Sequence, residues 1–338
     1  MRLHAETGPV PVIREVRPLS IRGVNYYPAL TPWSGFWTKT PPEVIAADMA
    51  LTASLNANTI RTFLDFSQHT HAAGLTMPDG QVADSYFAKV DLLLAAGWKH
   101  GIRVILCFSL EQATGAGQAG RSIWKRFMRG FAQRYADDGR VLMWDLSNEP
   151  DGREWTPAVE QYLREAMPFI KTVDDRHLTT VGLAWRIDLL EKAGLPDVLQ
   201  YHEYAPKAEL FANGAERVGR TIATQRRSGG TRPVLIGEFG MSTARDPQHG
   251  AGTAWQDRLP PAPGTEADQA KLYEIVLQAA ETQRAAGALA WCLHSYPTQE
   301  AGFLTPPESM FGLVRHDGSL KPAALVMRNA FRRWAASP

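Results

Sequence analysis

The sequence indicates its architecture most directly at Val141-Leu-Met-Trp-Asp-Leu-Ser-Asn-Glu-Pro150. Its first part is an apolar run, typical of a strand buried on both faces of a parallel sheet. Its last part turns polar at Ser147, Asn148 and Glu149. Pro150 has no backbone N–H to give to a neighbouring strand, so the strand must end there. The stretch therefore predicts a carboxylate and an amide side by side at the C-terminal end of a core strand.

A second stretch, Pro233-Val-Leu-Ile-Gly-Glu-Phe-Gly240, repeats this design. Val234, Leu235 and Ile236 form the buried run, and Glu238 stands at its end. The two stretches predict that Glu149 and Glu238 lie near each other at one edge of a sheet.

Outward from these stretches, short apolar runs alternate with segments of helical periodicity along the whole chain. The predicted strands are 21–26, 58–64, 102–108, 141–146, 177–182, 198–201, 234–237 and 288–292. The predicted helices that follow them are 43–55, 81–100, 119–135, 155–172, 186–193, 208–227, 266–286 and 322–334.

Eight strand–helix units in a chain of this size favour a single-domain α/β fold, the (β/α)₈ TIM barrel. The alternative is a doubly wound open sheet, which often carries a glycine-rich first turn. Here the first strand ends in Asn25-Tyr26-Tyr27-Pro28, without such glycines. We predict an N-terminal extended segment or hairpin over residues 1–20 and a catalytic barrel over 21–338. The Pro- and Gly-rich stretch 246–264 is interpreted as a loop at the mouth of the barrel.

The composition excludes several classes of partner. The chain has 338 residues, of which 44% are hydrophobic and 21% charged, and its net charge is +1. With so balanced a charge, the chain has no excess of basic residues that would attract nucleic acid or an anionic membrane surface. No apolar run is long enough to span a bilayer, and the N-terminus lacks the apolar core of a signal peptide. The two cysteines, Cys107 and Cys292, are predicted to be buried free thiols, so the expected location is the cytoplasm.

The carboxyl ends of barrel strands and the loops after them form the active face of this fold. The predicted face carries carboxylates, amides and aromatic rings but few clustered basic residues, which disfavours phosphoryl substrates. Paired carboxylates suit glycoside hydrolysis, because one protonates the leaving oxygen while the other attacks the anomeric carbon or activates water. Glu149 and Glu238 are the candidates for these roles. Tryptophans in the same loops would give sugar rings a flat apolar surface.

These residues carry a family resemblance. Asn148-Glu149-Pro150 and Glu238 resemble the acid/base and nucleophile signatures of the clan A glycoside hydrolases, and family 5, with its cellulases and β-mannanases, is the most similar. The resemblance extends to the segments 22–28 and 312–322 and to further residues at the strand ends: Arg61, His202, Tyr204 and Trp291. It covers the chain from about residue 18. One position departs from it, because family 5 members commonly have a histidine at the end of strand three, where this chain has Phe108-Ser109-Leu110-Glu111.

The resemblance implies a retaining glycosidase that needs no cofactor and no metal. Glu149 would act as general acid and then base, and Glu238 as the nucleophile. Their carboxyl groups should then lie about 5–5.5 Å apart. Asn148 would hold the sugar 2-hydroxyl, Tyr204 would hydrogen-bond Glu238, and His202 would help to position the site. We expect Arg61 to lower the pKa of Glu238, so that the higher pKa of the pair belongs to Glu149.

The predicted substrate is a β-linked hexose oligo- or polysaccharide. A β-mannoside is the first choice, and β-glucosides and β-galactosides are the alternatives. Trp33, Trp37, Trp255 and Trp291 are the candidate sugar platforms. An open groove lined by these tryptophans would favour internal cleavage. A pocket closed by the loops 246–264 and 295–319 would favour terminal cleavage.

Two other function classes share this fold. A metal-dependent hydrolase would need clustered ligands, such as a His-x-His at the end of strand one, where this chain has Asn-Tyr-Tyr. The second alternative is a carbohydrate-binding barrel without catalysis, but it would not require both carboxylates. Turnover of an aryl glycoside separates a binding protein from an enzyme. The sequence predicts no oligomeric state.

Overall fold

The computed structural model describes residues 10–109, 117–151, 156–184, 186–245, 263–296 and 306–336. Eight parallel strands close into one barrel in sequence order, from β1 to β8 and back to β1. The strands are β1 Ile21–Asn25, β2 Thr59–Asp65, β3 Arg103–Ser109, β4 Val141–Asn148, β5 Leu178–Leu183, β6 Leu199–Glu203, β7 Val234–Phe239 and β8 Gly287–Ala290. The predicted (β/α)₈ barrel is therefore confirmed.

Helices cover the outside of the barrel. The longer ones are α2 Pro42–Ser54, α4 Asp84–Lys99, α5 Gly117–Tyr135, α6 Pro157–Val173, α7 Ile187–Ala193, α8 Lys207–Gly229, α9 Glu266–Thr282 and α10 Pro322–Ala336. Two shorter helices, α1 Ser34–Lys39 and α3 Gln68–Ala72, lie in the loops after β1 and β2, and a 3₁₀ turn spans Glu308–Met310. The two short helices were not predicted, because five or six residues are too few to show a helical period.

Irregularities in the strand ladders occur next to the polar ends of the strands. The register shifts between Asp145 and Asn148 on β4, and between Tyr201 and His202 on β6. A third shift falls between Ile236 and Phe239 on β7, on either side of Glu238. Such bulges re-aim side chains at barrel rims and next to active sites. These three shifts therefore lie where polar residues leave the core, whereas a fourth, between Val104 and Ile105 on β3, lies in an apolar part of the sheet.

The opposite end of the barrel is closed by apolar side chains. The N-terminal segment lies there, with Val16 buried and Ile13 packed against the floor cluster. The buried residues of the floor cluster are Val16, Ile21, Ile105, Leu142, Met143, Val198, Leu235, Ala286 and Leu289. Two hydrogen bonds anchor the segment to the barrel. The Leu19 N–H of the segment donates to the Ala285 carbonyl at 2.7 Å, and Arg103 of β3 donates to the Pro11 carbonyl of the segment. Residues 10–20 form no strand, so the hairpin alternative does not apply to this part of the segment.

Within the described ranges, no helix combines the length and the apolar character needed to cross a membrane. Most of the predicted mouth loop, residues 246–262, lies outside those ranges, as does 297–305.

Candidate active site

The carboxyl ends of the strands bring most of the predicted site residues, together with Asn25, to one mouth of the barrel. Each contributing strand presents its last residues or the first residues after it. The contributions are Asn25 from β1, Arg61 from β2, Asn148 and Glu149 from the end of β4, His202 and Tyr204 from the end of β6, Glu238 from β7 and Trp291 after β8. All of these except Trp291 are joined to another member of the set by a side-chain hydrogen bond. Trp291 lies at the rim.

Arg61 is the centre of the polar network. Its side chain is fully buried, and its Nε donates to Asp145 Oδ2 at 2.7 Å. Its Nη1 donates to Glu238 Oε1 at 2.7 Å and to Asn25 Oδ1 at 2.9 Å, and its Nη2 donates to Asn148 Oδ1 at 2.8 Å. Burial opposes the charge, but the Asp145 and Glu238 carboxylates raise the pKa of Arg61 above its ordinary value. One planar cation thus fixes the positions of Asn148 and Glu238.

Glu238 is buried among these partners. Besides Arg61, its carboxylate accepts a hydrogen bond from the Tyr204 hydroxyl at 3.0 Å and lies 3.6 Å from His202 Nδ1. Burial raises the pKa of Glu238 above its ordinary value, while His202 and Arg61 lower it. Arg61 therefore lowers the pKa of Glu238 as predicted, although desolvation of the carboxylate outweighs both cations. That the higher pKa of the pair belongs to Glu149 stays a prediction.

Glu149 follows the last residue of β4 in a left-handed backbone conformation, with φ of 46°. Its backbone N–H donates to the Gly182 carbonyl at 2.7 Å, which continues the contact with β5 for one residue. The side chain is 34% exposed, against 7% for that of Glu238. Glu149 is therefore the member of the pair that is open to the cleft.

His202 bridges the two carboxylates. Its Nδ1 lies 2.6 Å from Glu149 Oε1, and its side chain is fully buried. Burial lowers the pKa of His202, but Glu238 and Glu149 outweigh it, so that the pKa lies above its ordinary value. His202 thus contacts both carboxylates through the same ring nitrogen.

Gly182 on β5 leaves room for this network. A Cβ at this position would lie 2.7 Å from Gln200 Nε2, 2.9 Å from His202 Nε2 and 3.0 Å from Arg61 Nη2. The His202 Nε2 atom has no hydrogen-bond partner among the described residues. A glycine is therefore needed where three nitrogen-bearing side chains converge.

The two carboxylates lie close together. Glu149, His202 and Glu238 each present a ligand-type atom, and these three atoms lie within 4.8 Å of one another. This spacing is shorter than the range of about 6.5–9.5 Å between the carboxyl groups of inverting glycosidases. By distance alone the three groups could ligate a cation. The raised pKa of His202 works against metal binding, because a metal binds the deprotonated ring nitrogen.

The predicted aromatic platforms differ in their accessibility. Trp291 is partly exposed and meets the Phe63 ring edge-on at 6.5 Å. Trp33 is also partly exposed, but one face stacks on Tyr27 at 4.9 Å. The structure disagrees with the prediction for Trp37, which is 1% exposed.

Trp37 belongs to the core for two physical reasons. Its Nε1–H donates to the Phe63 carbonyl at 2.8 Å, and its ring packs against Phe36 and Tyr86. No face of the ring remains for a sugar. Two other residues discussed from the sequence, Glu111 and Trp255, lie outside the described ranges.

Two carboxylates at the site were not selected from the sequence. Asp145 holds Arg61, and its signal was present, because it is a charged residue inside an otherwise apolar strand. Glu308 belongs to the 3₁₀ turn in the loop after β8, and its Oε1 accepts a hydrogen bond from Trp291 Nε1 at 3.2 Å. Burial raises the pKa of Glu308 to about 7, and the Glu238 and Glu149 carboxylates add to this effect. Nothing in the sequence distinguishes Glu308 from other loop carboxylates.

Comparisons with known proteins agree with this architecture. The sequence model of Cellulase (glycosyl hydrolase family 5) matches residues 18–296. Mannan endo-1,4-beta-mannosidase 2 from Oryza sativa subsp. japonica is 23% identical over 90% of this chain and 82% of its own length. The GH5_18 protein from Streptomyces cattleya in complex with Manb1-4GlcNAc has a TM-score of 0.77 at 17% identity, covering 94% of this chain and 82% of that chain.

A second solved structure, the exo-beta-1,4-mannosidase from Opitutaceae bacterium strain TAV5, gives a TM-score of 0.72 at 19% identity, covering 98% of this chain and 62% of that chain. At such identities the structural likeness establishes the fold alone. The family match is independent of it and spans most of the chain, including both candidate carboxylates. The chain therefore belongs to glycosyl hydrolase family 5, the cellulase family, and is a glycoside hydrolase.

Proposed function

We propose that this protein is a retaining glycoside hydrolase that cleaves β-mannosidic bonds of oligosaccharides. The observation that carries the proposal is the spacing of Glu149 and Glu238, whose facing atoms lie within 4.8 Å of each other. In retaining enzymes the carboxyl groups are about 5–5.5 Å apart, because one of them must reach the anomeric carbon itself. An inverting enzyme needs a wider gap to hold a water molecule.

Glu238 is the proposed nucleophile. It is held by Arg61 and by the Tyr204 hydroxyl, so its carboxylate has a fixed direction of attack. Arg61 and His202 oppose the effect of burial on its pKa and so favour the ionised form that attack requires. Tyr204 and Arg61 would share the charge of the carboxylate again when the glycosyl–enzyme bond breaks.

Glu149 is the proposed acid/base. Its greater exposure lets the leaving group, and later a water molecule, approach the carboxyl group. The contact of its Oε1 with His202 Nδ1 fixes the orientation of the carboxyl group in the cleft. Loss of the proton to the leaving oxygen creates a carboxylate next to His202, which the protonated ring would stabilise.

Substrate contacts follow from the same network. Asn148 is held through its Oδ1 by Arg61, so its amide N–H₂ can turn towards the sugar 2-hydroxyl. The partly exposed Trp291 would support the sugar ring, and Trp33 offers a smaller second surface. The β-mannosidic preference is supported by the relatives named as mannan endo-beta-mannosidases and by the neighbour named as an exo-beta-1,4-mannosidase. No cofactor or metal enters this mechanism.

The two carboxylates can be tested with one pair of substitutions. Glu238→Gln should lower kcat on an aryl β-mannoside by at least about 1,000-fold, because no nucleophile remains. Glu149→Gln should slow cleavage of a poor leaving group by about 100- to 10,000-fold, while glycosylation by a dinitrophenyl mannoside, which needs no acid, stays fast. NMR of the first-formed sugar should show retention of the β anomer.

Glu274→Gln is the matched control, because Glu274 is exposed on the outer helix α9. It should leave all rates unchanged. Near-normal rates for both site variants, or an inverted first product, would refute the proposed roles. Turnover of β-glucosides or β-galactosides with none of β-mannosides would refute the sugar preference and leave the mechanism standing.

A further inference from the structure

Glu308 is a third carboxylate at the site, and the proposed double displacement does not use it. It lies in the 3₁₀ turn after β8 and is partly exposed, so a molecule in the cleft can reach it. Its Oε1 accepts from the Trp291 indole, whereas its Oε2 has no hydrogen-bond partner within the described ranges. A desolvated carboxyl group with an unused oxygen beside two other carboxylates is costly, and such groups are typical of binding sites.

The turn that carries Glu308 is held firmly against the barrel mouth. Ser242 Oγ donates to the Pro307 carbonyl at 2.6 Å, and Tyr296 N–H donates to the Ser309 carbonyl at 2.8 Å. Phe311, just after the turn, meets the Tyr204 ring edge-on at 6.3 Å. Glu308 is therefore positioned by contacts from both sides and is not a loosely held surface residue.

The barrel geometry indicates which edge of the sugar Glu308 faces. In the closed order β1 to β8, β4 and β8 lie on opposite sides of the barrel. Asn148 and Glu149 come from the end of β4, whereas Trp291 and its partner Glu308 follow β8. If the pyranose ring lies with its C1–C2 edge towards Asn148 and Glu149, its opposite edge points towards the β8 side. That edge carries the 4-hydroxyl and the hydroxymethyl group.

We propose that Glu308 is a specificity-determining residue that accepts a hydrogen bond from the free 4-hydroxyl of the bound hexose, so that the enzyme acts at non-reducing chain ends. An internal sugar of a β-1,4-linked chain has no free 4-hydroxyl, because the next sugar is attached there. A carboxylate that needs this hydroxyl leaves its charge unpaired against an internal sugar and so disfavours it. The inference rests on the proposed β-hexosidase function and adds the position of the cut.

The test compares two enzyme variants with two substrates. At a pH above 7, where the Glu308 carboxyl is ionised, wild-type kcat/KM on an aryl β-mannoside should exceed that on its 4-deoxy analogue by about 10- to 100-fold, the range for one hydrogen bond to a charged group. Glu308→Gln keeps an oxygen for the Trp291 indole but loses the charge. Its kcat/KM should fall about 10- to 100-fold on the parent mannoside and less than about 3-fold on the 4-deoxy analogue.

Controls separate recognition from a structural role. Glu274→Gln should match the wild type on both substrates, and a 6-deoxy mannoside should behave like the parent compound. Glu308→Ala removes the support of Trp291 as well. If Glu308→Gln equals the wild type on both substrates and only Glu308→Ala is impaired, Glu308 merely positions the tryptophan and the proposal is overturned.

A measurement on the wild type alone keeps the proposal testable if the variants fail to fold. Mannopentaose labelled at its reducing end should lose one mannose at a time from the other end. Early release of labelled mannobiose or mannotriose would show internal cleavage and overturn the proposal, as would equal kcat/KM for the parent and the 4-deoxy mannoside. If no aryl β-hexoside is turned over at all, the proposed function itself fails, an outcome visible before any variant is made.

Discussion

At the scale of single residues, Arg61 determines the geometry of the site. Its guanidinium donates to side chains from three other strands: Asn25 on β1, Asp145 and Asn148 on β4, and Glu238 on β7. A lysine has a compact ammonium group and no planar fork, so it cannot make these contacts together. The position therefore needs the shape of arginine as well as its charge.

Arg61→Lys is expected to lower kcat/KM by about 100-fold, because the nucleophile and Asn148 lose their common support. It should also lower the free energy of unfolding by on the order of 3 kcal/mol, since a buried carboxylate loses its partner. Enzyme kinetics and urea unfolding of the same preparation measure both effects. The control is Arg134→Lys, because Arg134 forms a half-exposed ion pair with Asp91. We expect it to lower the free energy of unfolding by less than about 0.5 kcal/mol. Wild-type kinetics in Arg61→Lys would show that Arg61 does not organise the site.

Glu308 predicts a pH dependence of stability. The pKa of its carboxyl is about 7 in the folded protein, against an ordinary value of 4.5. The folded state therefore binds more protons than the unfolded state between these values, and stability falls as the pH rises. The stabilisation that the folded state gains by binding this proton is fully present below pH 4.5 and is lost as the pH passes about 7.

Glu308→Gln removes this titration. The free energy of unfolding of the variant minus that of the wild type should rise by on the order of 1–2 kcal/mol from pH 5 to pH 8.5. Each pKa unit is worth about 1.4 kcal/mol, and solvent in the cleft screens part of this effect. Urea unfolding at both pH values measures the change, with Glu274→Gln as the control. An unchanged difference between variant and wild type at the two pH values would show that Glu308 does not titrate in this range.

At the scale of elements, the strands could be predicted well from the sequence and the loops poorly. All eight strands lie within a few residues of their predicted bounds, because a continuous apolar run that ends in polar residues is typical of a buried parallel strand. Strand ends also placed Glu149, Glu238, Arg61 and His202 at one mouth, since parallel strands deliver their last residues to the same side.

The loops depend on tertiary contacts that no local pattern reveals. Glu308 could not be predicted from the sequence, because the path of the loop after β8 is fixed by contacts such as that of Ser242 with Pro307. Trp37 was misassigned for a similar reason, since the short helix α1 turns it into the core. The part of the site that lies on strands was therefore predictable, and the part that lies on loops was not.

Gly182 on β5 tests how tightly the elements are fitted around the site. Gly182→Ala should lower kcat by about 10- to 100-fold, because the added methyl group displaces the ends of Gln200, His202 and Arg61, and small displacements of this kind are costly in catalysis. The melting temperature should change less than the rate, because these side-chain ends can move. Gly130→Ala on helix α5, where the nearest contact is a Val82 methyl at 3.3 Å, is the control. Equal rates for the two variants would mean that the space at Gly182 does not matter for the reaction.

At the scale of the whole molecule, the two ends of the barrel have different roles. The mouth carries the polar network, and the floor is an apolar cluster closed by the N-terminal segment. Val16→Asp should lower the free energy of unfolding by on the order of 3 kcal/mol, because it buries an unpaired charge, and leave kcat and KM unchanged while the protein is folded. Arg14→Asp, two residues away and exposed, is the control and should change neither quantity. A changed KM in Val16→Asp would show that the floor is coupled to the mouth.

The Arg61 contacts also bear on how such a barrel can evolve. Because one guanidinium ties together residues from β1, β4 and β7, the effect of a substitution at any of them depends on what stands at the others. Beneficial combinations would then be separated by inactive intermediates, so the network would stay fixed while the surrounding loops diverge. Libraries meant to change the sugar specificity should vary the loop after β8 and keep the guanidinium partners constant. Libraries meant to change the chemistry must randomise all of its partners together.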